Sequence, residues 1–184
     1  MKPAACMVRI SIVLLTALAC MGCEDQNAPR SRLLITRIAD ISTESYSYDY
    51  ALLSDVETYG SVFEDEIYLT VQNLPRSSLF SYSAGGPYGD AVLTRYTVEY
   101  ELEDEHIEPI AGGMHLVVPS GSETIARIVI VAAITKTLPP LNTLLTELDE
   151  FFVTARITLY GYEESSNEAL EAHAAMQIHF ANWA

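Results

Sequence analysis

The sequence predicts an all-β protein, folded as a two-sheet antiparallel sandwich of about seven strands. Three observations lead to this class. Apolar runs recur along the chain, turn-rich stretches such as Gly85-Gly86-Pro87 and Gly112-Gly113 separate them, and no helical stripe is longer than about three turns. Strands at this spacing pair into two layers that share one core.

The clearest strand is the run AVLTRYTVEYEL, residues 91 to 102. Its even-numbered residues from Val92 to Leu102, with Thr94 and Tyr96 among them, share one face, and Arg95 lies opposite. This period of two is typical of a strand with one buried face. Residues 122–136, SETIARIVIVAAITK, are apolar on both faces, which predicts a central strand; their β-branched residues favour it over a buried helix.

Residues 151–162 and 169–182 predict a terminal hairpin around the turn EESSNE. In its second arm the even-numbered residues from Leu170 to Phe180 face one way, and the odd-numbered residues from Glu171 to His179 face the other. This Ala-rich arm could also be helical. Weaker strands are predicted for residues 32–40, 66–74 and 114–119. A short helix is predicted near 141–149, where leucines recur at helical spacing after two prolines that break any strand.

The N-terminus predicts a signal peptide. Lys2 and Arg9 precede an apolar stretch, and small residues follow it in the sequence LACMGC, residues 18 to 23. This ending resembles the lipobox of bacterial lipoprotein precursors, which are cleaved before a cysteine that becomes acylated. A plain signal peptide with incidental cysteines, or an uncleaved anchor, is the alternative.

Two cysteines are candidates for the acylated residue. Cys23 has Gly22 before it and Cys20 at the third position upstream, whereas Cys20 has Ala19 and Ala17 in those places. We favour Cys23, because a polar run begins directly after it, and keep Cys20 as the alternative. The resulting domains are a signal peptide over 1–22, a lipid-anchored cysteine with a polar tether over 23–32, and a β-sandwich over 33–184.

Composition narrows the classes of partner. Removal of Lys2 and Arg9 with the leader leaves 8 basic residues against 25 acidic ones, a net charge of −17. Such a surface repels phosphate backbones, so we expect no nucleic-acid partner. One cysteine remains in the mature chain, which predicts a fold without disulfides that is stabilised by burial alone.

No catalytic motif is present, and we expect neither catalytic residues nor a cofactor. The densest polar cluster is ELEDEHIE, residues 101 to 108, which we interpret as a solvated turn because it lacks the glycine of a calcium-binding loop. We therefore predict no metal site, and the weak candidates are Glu103, Asp104, Glu105 and His106. The same residues would serve the alternative of a hydrolase or accessory enzyme subunit.

Tyrosines cluster in residues 45–60 and 80–89. Tyrosine supplies contact area at low entropy cost, so these segments form the predicted binding surface if one exists. The alternative is that they pack over the sandwich edges. The residues are Tyr46, Tyr48, Tyr50, Tyr59, Tyr82 and Tyr88.

Four segments extend the resemblance beyond the leader. They are VLTRYTVEYE, VPSGSETIARIVIV, LPPL and ITLYGYEESSNEALEAHAAMQIHFANW. The order of these segments and their strand-like residue patterns resemble those of a group of uncharacterised bacterial envelope lipoproteins with an immunoglobulin-like β-sandwich. The resemblance implies a membrane-anchored module of the envelope, facing periplasm or cell exterior, and implies no ligand. We expect a non-catalytic binding or structural role toward an envelope protein or surface ligand, with a subunit of a larger envelope machine as an alternative.

Overall fold

The computed structural model describes residues 30–40, 51–76, 89–103, 105–146 and 149–183. They form an all-β fold with two sheets, which confirms the predicted class, and they hold eight strands where about seven were expected. The strands are β1 (Ser31–Asp40), β2 (Leu52–Asp55), β3 (Asp65–Pro75), β4 (Ala91–Glu101), β5 (Ile110–Val118), β6 (Glu123–Val131), β7 (Phe151–Glu163) and β8 (Ala169–Ala181). The additional strand is β2, which is too short for its alternation to be recognised in the sequence.

The two sheets differ in size and curvature. The smaller sheet has the order β1-β3-β6, and the larger has the order β2-β8-β7-β4-β5 and curls into a half-barrel. All pairs are antiparallel except β2 with β8, so the prediction of a purely antiparallel sandwich is wrong at this edge. No hairpin joins β2 to β8, and their relative direction is therefore not fixed by a turn. Apolar side chains of both sheets form the core, among them Ile67, Leu69, Leu93, Ile157 and Phe180.

A β-bulge changes the predicted facing of Leu93 and Thr94 in β4. Pairing with both β5 and β7 shifts register between Leu93 and Arg95. Because a bulge adds one residue to the strand, Leu93 turns into the core and Thr94 faces solvent. The assignment of Thr94 to the core face is therefore wrong, whereas Tyr96 and Val98 are buried as expected.

Strand β6 lies at an edge of the smaller sheet. It pairs with β3 and with no other strand in the described ranges. The prediction of a central strand buried on both faces is therefore wrong, since Ile128 and Ile130 are buried while Ile125 faces solvent. The run of β-branched residues reflects strand propensity here and not two-sided burial.

Two tyrosines of β4 cover the backbone of this edge. The Val129 N–H donates to the Tyr96 hydroxyl at 3.2 Å, and the Tyr100 hydroxyl donates to the Ile130 carbonyl at 2.7 Å. Burial, followed by the charges of Asp65 and Tyr96, raises the pKa of Tyr100 far above its usual range, so its hydroxyl keeps its proton. These bonds join the two sheets and blunt an edge that could otherwise pair with another chain.

Two short helices connect β6 to β7. Helix α1 spans Ala133–Lys136, so the strand predicted up to residue 136 ends earlier, at Val131. A 3-10 helix spans Leu141–Leu145 and buries Leu141 and Leu144. It confirms the first part of the helix predicted near 141–149; residues 147–148 lie outside the described part of the chain.

A buried ion pair fixes α1 against the strands. The Lys136 ammonium is almost fully buried, and it donates to the Asp65 carboxylate at 3.0 Å and to the Asp55 carbonyl at 2.7 Å. The Ser54 hydroxyl donates to the other oxygen of Asp65 at 2.5 Å. These bonds satisfy a charge that would be costly to bury alone, and they join β2, β3 and α1.

The strands run between two ends of the fold. The chain enters at Arg30, beside the last residues of β3 and β7, and we call this side the N-terminal end. The opposite side holds the last residues of β2, β4 and β8, the first residues of β3 and β7, and both helices; we call it the distal end. Thirteen residues of β7 separate the two ends, a length of about 40 Å.

Candidate interaction surface

Three exposed apolar side chains and one partly buried histidine form a patch on the outer face of the larger sheet, near the distal end. Leu53, His179 and Phe152 lie abreast on three neighbouring strands, and Trp183 follows β8. We call these four residues the aromatic patch. Leu53 is 65% exposed, Phe152 60% and Trp183 49%. Large apolar side chains exposed together are typical of a binding surface.

His179 stands at the centre of the patch. Its ring stacks on Phe152, with centroids 4.2 Å apart and an angle of 16° between planes, and it meets Trp183 edge-on at 5.3 Å and 88°. Its Nε2 lies 2.5 Å from the Glu150 carboxylate, and the Trp183 backbone N–H donates to the Asp55 carboxylate at 3.3 Å. These contacts order both rings, so a partner loses little side-chain entropy when it binds them.

Strand alternation and hairpin register create this arrangement. Val153 and Ala155 face the core, which leaves Phe152 on the solvent face, and the register of β7 and β8 sets it opposite His179. The solvent-facing position of His179 confirms the predicted pattern of β8. Leu53, Phe152 and Trp183 were not singled out in the sequence. The sequence signal that could have identified the patch is Phe152, a large apolar residue on the otherwise polar face of a strand.

Further apolar side chains are exposed at the distal end. Tyr59 is fully exposed at the tip of a tight turn closed by Thr58 and Ser61, and its φ of 52° places it in the left-handed region. Phe63 and Ile134 are also largely exposed. A left-handed, fully exposed tyrosine at a turn tip suits a contact residue. The binding role of Tyr59 stays a prediction.

The other predicted tyrosines and the lipidation site cannot be compared with the fold. Tyr46, Tyr48, Tyr50, Tyr82 and Tyr88 lie outside the described residues, as do Cys20 and Cys23. Within the described ranges, no helix combines the length and apolar character needed to cross a membrane.

The acidic run lies at the distal end, beyond β4. Glu103, Glu105 and His106 are exposed, Asp104 lies outside the described residues, and buried Ile107 fixes the loop to the core. His106 Nε2 is 3.6 Å from the Glu108 carboxylate, with both side chains largely in solvent. Among the residues that the structure describes, no group of three or more His, Cys, Asp or Glu side chains suits a metal ion. The described residues Glu103, Glu105 and His106 of the run lie in a solvent-exposed loop.

Two further histidines, His173 and His179, lie in separate surroundings. His173 contacts the Thr158 hydroxyl at 3.2 Å and lies 3.6 Å from the Glu171 carboxylate, while His179 belongs to the aromatic patch. Both project from the solvent face of β8, six residues apart, about 20 Å along the strand. One metal ion therefore cannot bridge them.

A buried carboxylate organises the N-terminal end. Glu163 accepts hydrogen bonds from the Arg30 N–H at 3.1 Å, the Ser31 hydroxyl at 2.9 Å, the Gly89 N–H at 3.0 Å and the Ser166 hydroxyl at 2.7 Å. Burial by itself raises its pKa, but the bonds from Ser166, Gly89, Arg30 and Ser31 outweigh burial and lower the pKa below its usual value. The carboxylate joins the entry of the chain to the last hairpin.

Comparison with known proteins assigns no family to the chain. No protein-family model matches the chain, and no curated protein matches it. Among solved structures, the solution structure described as that of a late embryogenesis abundant (LEA) protein aligns with 97% of this chain and 87% of its own, at a TM-score of 0.45 and 10% sequence identity. This similarity assigns no ligand or activity to the chain.

Proposed function

We propose that the protein is a lipid-anchored lipoprotein of the bacterial cell envelope, whose β-sandwich binds a partner without catalysing a reaction. The aromatic patch carries this proposal, because exposed Leu53, Phe152 and Trp183 side chains are costly for a module that binds nothing. The leader sequence LACMGC supports the anchor, with Cys23 as the acylated residue. The sandwich faces the periplasm or the cell exterior.

The position of the patch fits an anchored module. Arg30 enters at the N-terminal end, whereas Phe152 lies at the distal end, eleven residues before Glu163 on β7 and about 35 Å away along the strand. Arg30 lies seven positions after Cys23, and a chain of this length reaches about 25 Å when fully extended. In an upright domain, such a tether holds the N-terminal end near the bilayer and directs the patch away from it.

We further propose that the fold is an elaborated immunoglobulin-like sandwich. The order of the larger sheet supports this, since β4 pairs with β7, which is distant in sequence, and the chain crosses between sheets from β3 to β4 and from β5 to β6. Such crossings are typical of Greek-key sandwiches. The parallel strand β2 and the curled larger sheet are the elaborations.

A subunit of a larger envelope assembly is the second candidate. The same exposed patch favours it, because subunits bury apolar surfaces of this kind in permanent contacts. The two candidates differ in stoichiometry, since a subunit elutes in a complex of fixed composition from detergent-solubilised membranes whereas a binding module elutes mainly alone.

The anchor is tested by intact mass and detergent partitioning of the full chain, expressed with its own leader in a bacterium. We expect the wild type to begin at Cys23 with added acyl mass and to enter the detergent phase. Cys23→Ala should lose both properties, and Cys20→Ala is the matched control that should keep them. An unmodified, water-soluble wild type would overturn the lipoprotein proposal.

A further inference from the structure

The aromatic patch lies in an acidic surrounding. Four basic residues lie near the distal end: Arg37, Arg127, Lys136 and Arg156. Three of them pair with carboxylates: Arg127 with Glu66, Lys136 with Asp65, and Arg156 with Glu101. Acidic residues exceed them at this end, and they include Asp55, Glu57, Glu64, Asp65, Glu66, Glu99, Glu101, Glu103, Glu105, Glu108, Asp149 and Glu150. An apolar surface surrounded by negative charge favours partners that are both apolar and positively charged.

We propose that the aromatic patch binds a protein segment that combines apolar side chains with lysine or arginine. Leu53, Phe152 and Trp183 would contact the apolar side chains of the segment. The cationic groups would face the carboxylates of residues such as Asp149 and Glu103, both exposed at this end. This inference deepens the proposed function and rests on it for the position of the patch away from the membrane.

The negative charge of the chain distinguishes among the possible partners of the aromatic patch. A second copy of the chain carries the same large negative charge, −15 for the full sequence, and two distal ends would repel each other. A bilayer rich in anionic lipid is repelled for the same reason. The negative field of the distal end speeds the encounter with a cationic segment and orients the segment. The apolar contacts supply most of the affinity.

Trp183 is the single tryptophan of the chain and lies in the patch, so its emission reports binding there directly. We would reconstitute the anchored full chain in phosphatidylcholine nanodiscs and titrate a tryptophan-free peptide of alternating Leu and Lys. Peptides of Leu with Glu and of Ser with Lys are the matched probes. We expect a saturable shift of Trp183 emission with the Leu-Lys peptide and at least about tenfold weaker binding of the other two.

Amino-acid substitutions test whether the peptide binds at the aromatic patch. Leu53→Ser combined with Phe152→Ser should weaken binding of the Leu-Lys peptide at least about tenfold. Ile125→Ser is the matched control, because Ile125 is 60% exposed, as Phe152 is, and lies on the smaller sheet. We expect binding to Ile125→Ser within twofold of the wild type. Asp149→Lys should weaken binding and reduce its dependence on salt.

Four results would overturn the inference. They are no Trp183 response, equal responses to the Leu-Lys and Leu-Glu peptides, an emission shift on dilution that reports self-association, and a shift caused by anionic vesicles alone. Failure of the proposed function is distinguishable, since it is read from acyl mass and detergent partitioning. An unacylated chain whose Trp183 still responds selectively would retain the site and lose the anchor.

Discussion

The Ser31 hydroxyl donates a 2.9 Å hydrogen bond to the buried Glu163 carboxylate, and this contact joins residues 132 positions apart. Ser31 is the first residue of β1 and Glu163 the last of β7. The bond therefore ties the point where the chain enters the fold to the closing hairpin.

Replacement of Glu163 by Gln should lower the free energy of unfolding by about 2 kcal/mol, because bonds to a charged acceptor are lost and a buried amide N–H₂ would face the donors. Urea denaturation measures the change. Glu164→Gln is the matched control, since Glu164 is the exposed neighbour, and it should leave stability nearly unchanged. Equal effects of both substitutions would contradict the role assigned to Glu163.

The same carboxylate predicts a pH dependence. Its pKa in the folded state is lowered from the ordinary value of 4.5, so the unfolded chain takes up the proton first on acidification. Its contribution to stability is present above about pH 4.5 and is lost as the pH falls through the folded-state value. Urea titrations between pH 7 and pH 3 should show a shallower decline for Glu163→Gln than for the wild type. Parallel declines would contradict this assignment.

Lys136→Met should destabilise the protein by about 3 kcal/mol, because it leaves the Asp65 carboxylate without its cation. Adding Asp65→Asn to Lys136→Met should recover part of the loss, since it removes the uncompensated charge. Arg127→Met is the control, because Arg127 pairs with Glu66 at the surface, and it should have little effect. A loss for Lys136→Met no larger than that for Arg127→Met would show that the buried pair does not stabilise the fold.

Gly112→Ala should destabilise by about 1–3 kcal/mol through overpacking. A Cβ at Gly112 would lie 2.3 Å from the Tyr96 ring, so the ring must move and weaken its bond to the Val129 N–H. Gly113→Ala is the matched control, because a Cβ there meets nothing within 4 Å. Near-ultraviolet circular dichroism and urea denaturation should distinguish the two variants, and identical behaviour would contradict the close packing of Tyr96 on Gly112.

The sequence predicts what depends on local pattern. The hairpin of β7 and β8 and its alternating faces follow from residues within one segment, and Leu170 and Phe180 are buried as expected. The bulge after Leu93 is set by two partner strands, so alternation alone misplaced Thr94. The edge position of β6 depends on sheet order in the same way, which the composition of one strand does not specify.

The aromatic patch could not be predicted for a related reason. Leu53, Phe152 and Trp183 belong to three separate parts of the sequence, and they come together because β8 pairs with both β2 and β7. Tyrosine density pointed toward the segment that holds Tyr59, which is at the same end of the fold. The contacts of His179 with Phe152 and Trp183 come from tertiary register, and no sequence motif encodes them.

The most direct test of an anchored module that presents its patch away from the membrane is quenching of Trp183 in the acylated full chain, reconstituted in phosphatidylcholine vesicles. Trp183, the single tryptophan, is half-exposed at the distal end. We expect aqueous iodide to quench its emission efficiently and lipids with spin labels on their acyl chains to leave it unchanged. Strong quenching by the spin-labelled lipids, with protection from iodide, would place the patch in the bilayer and contradict this account.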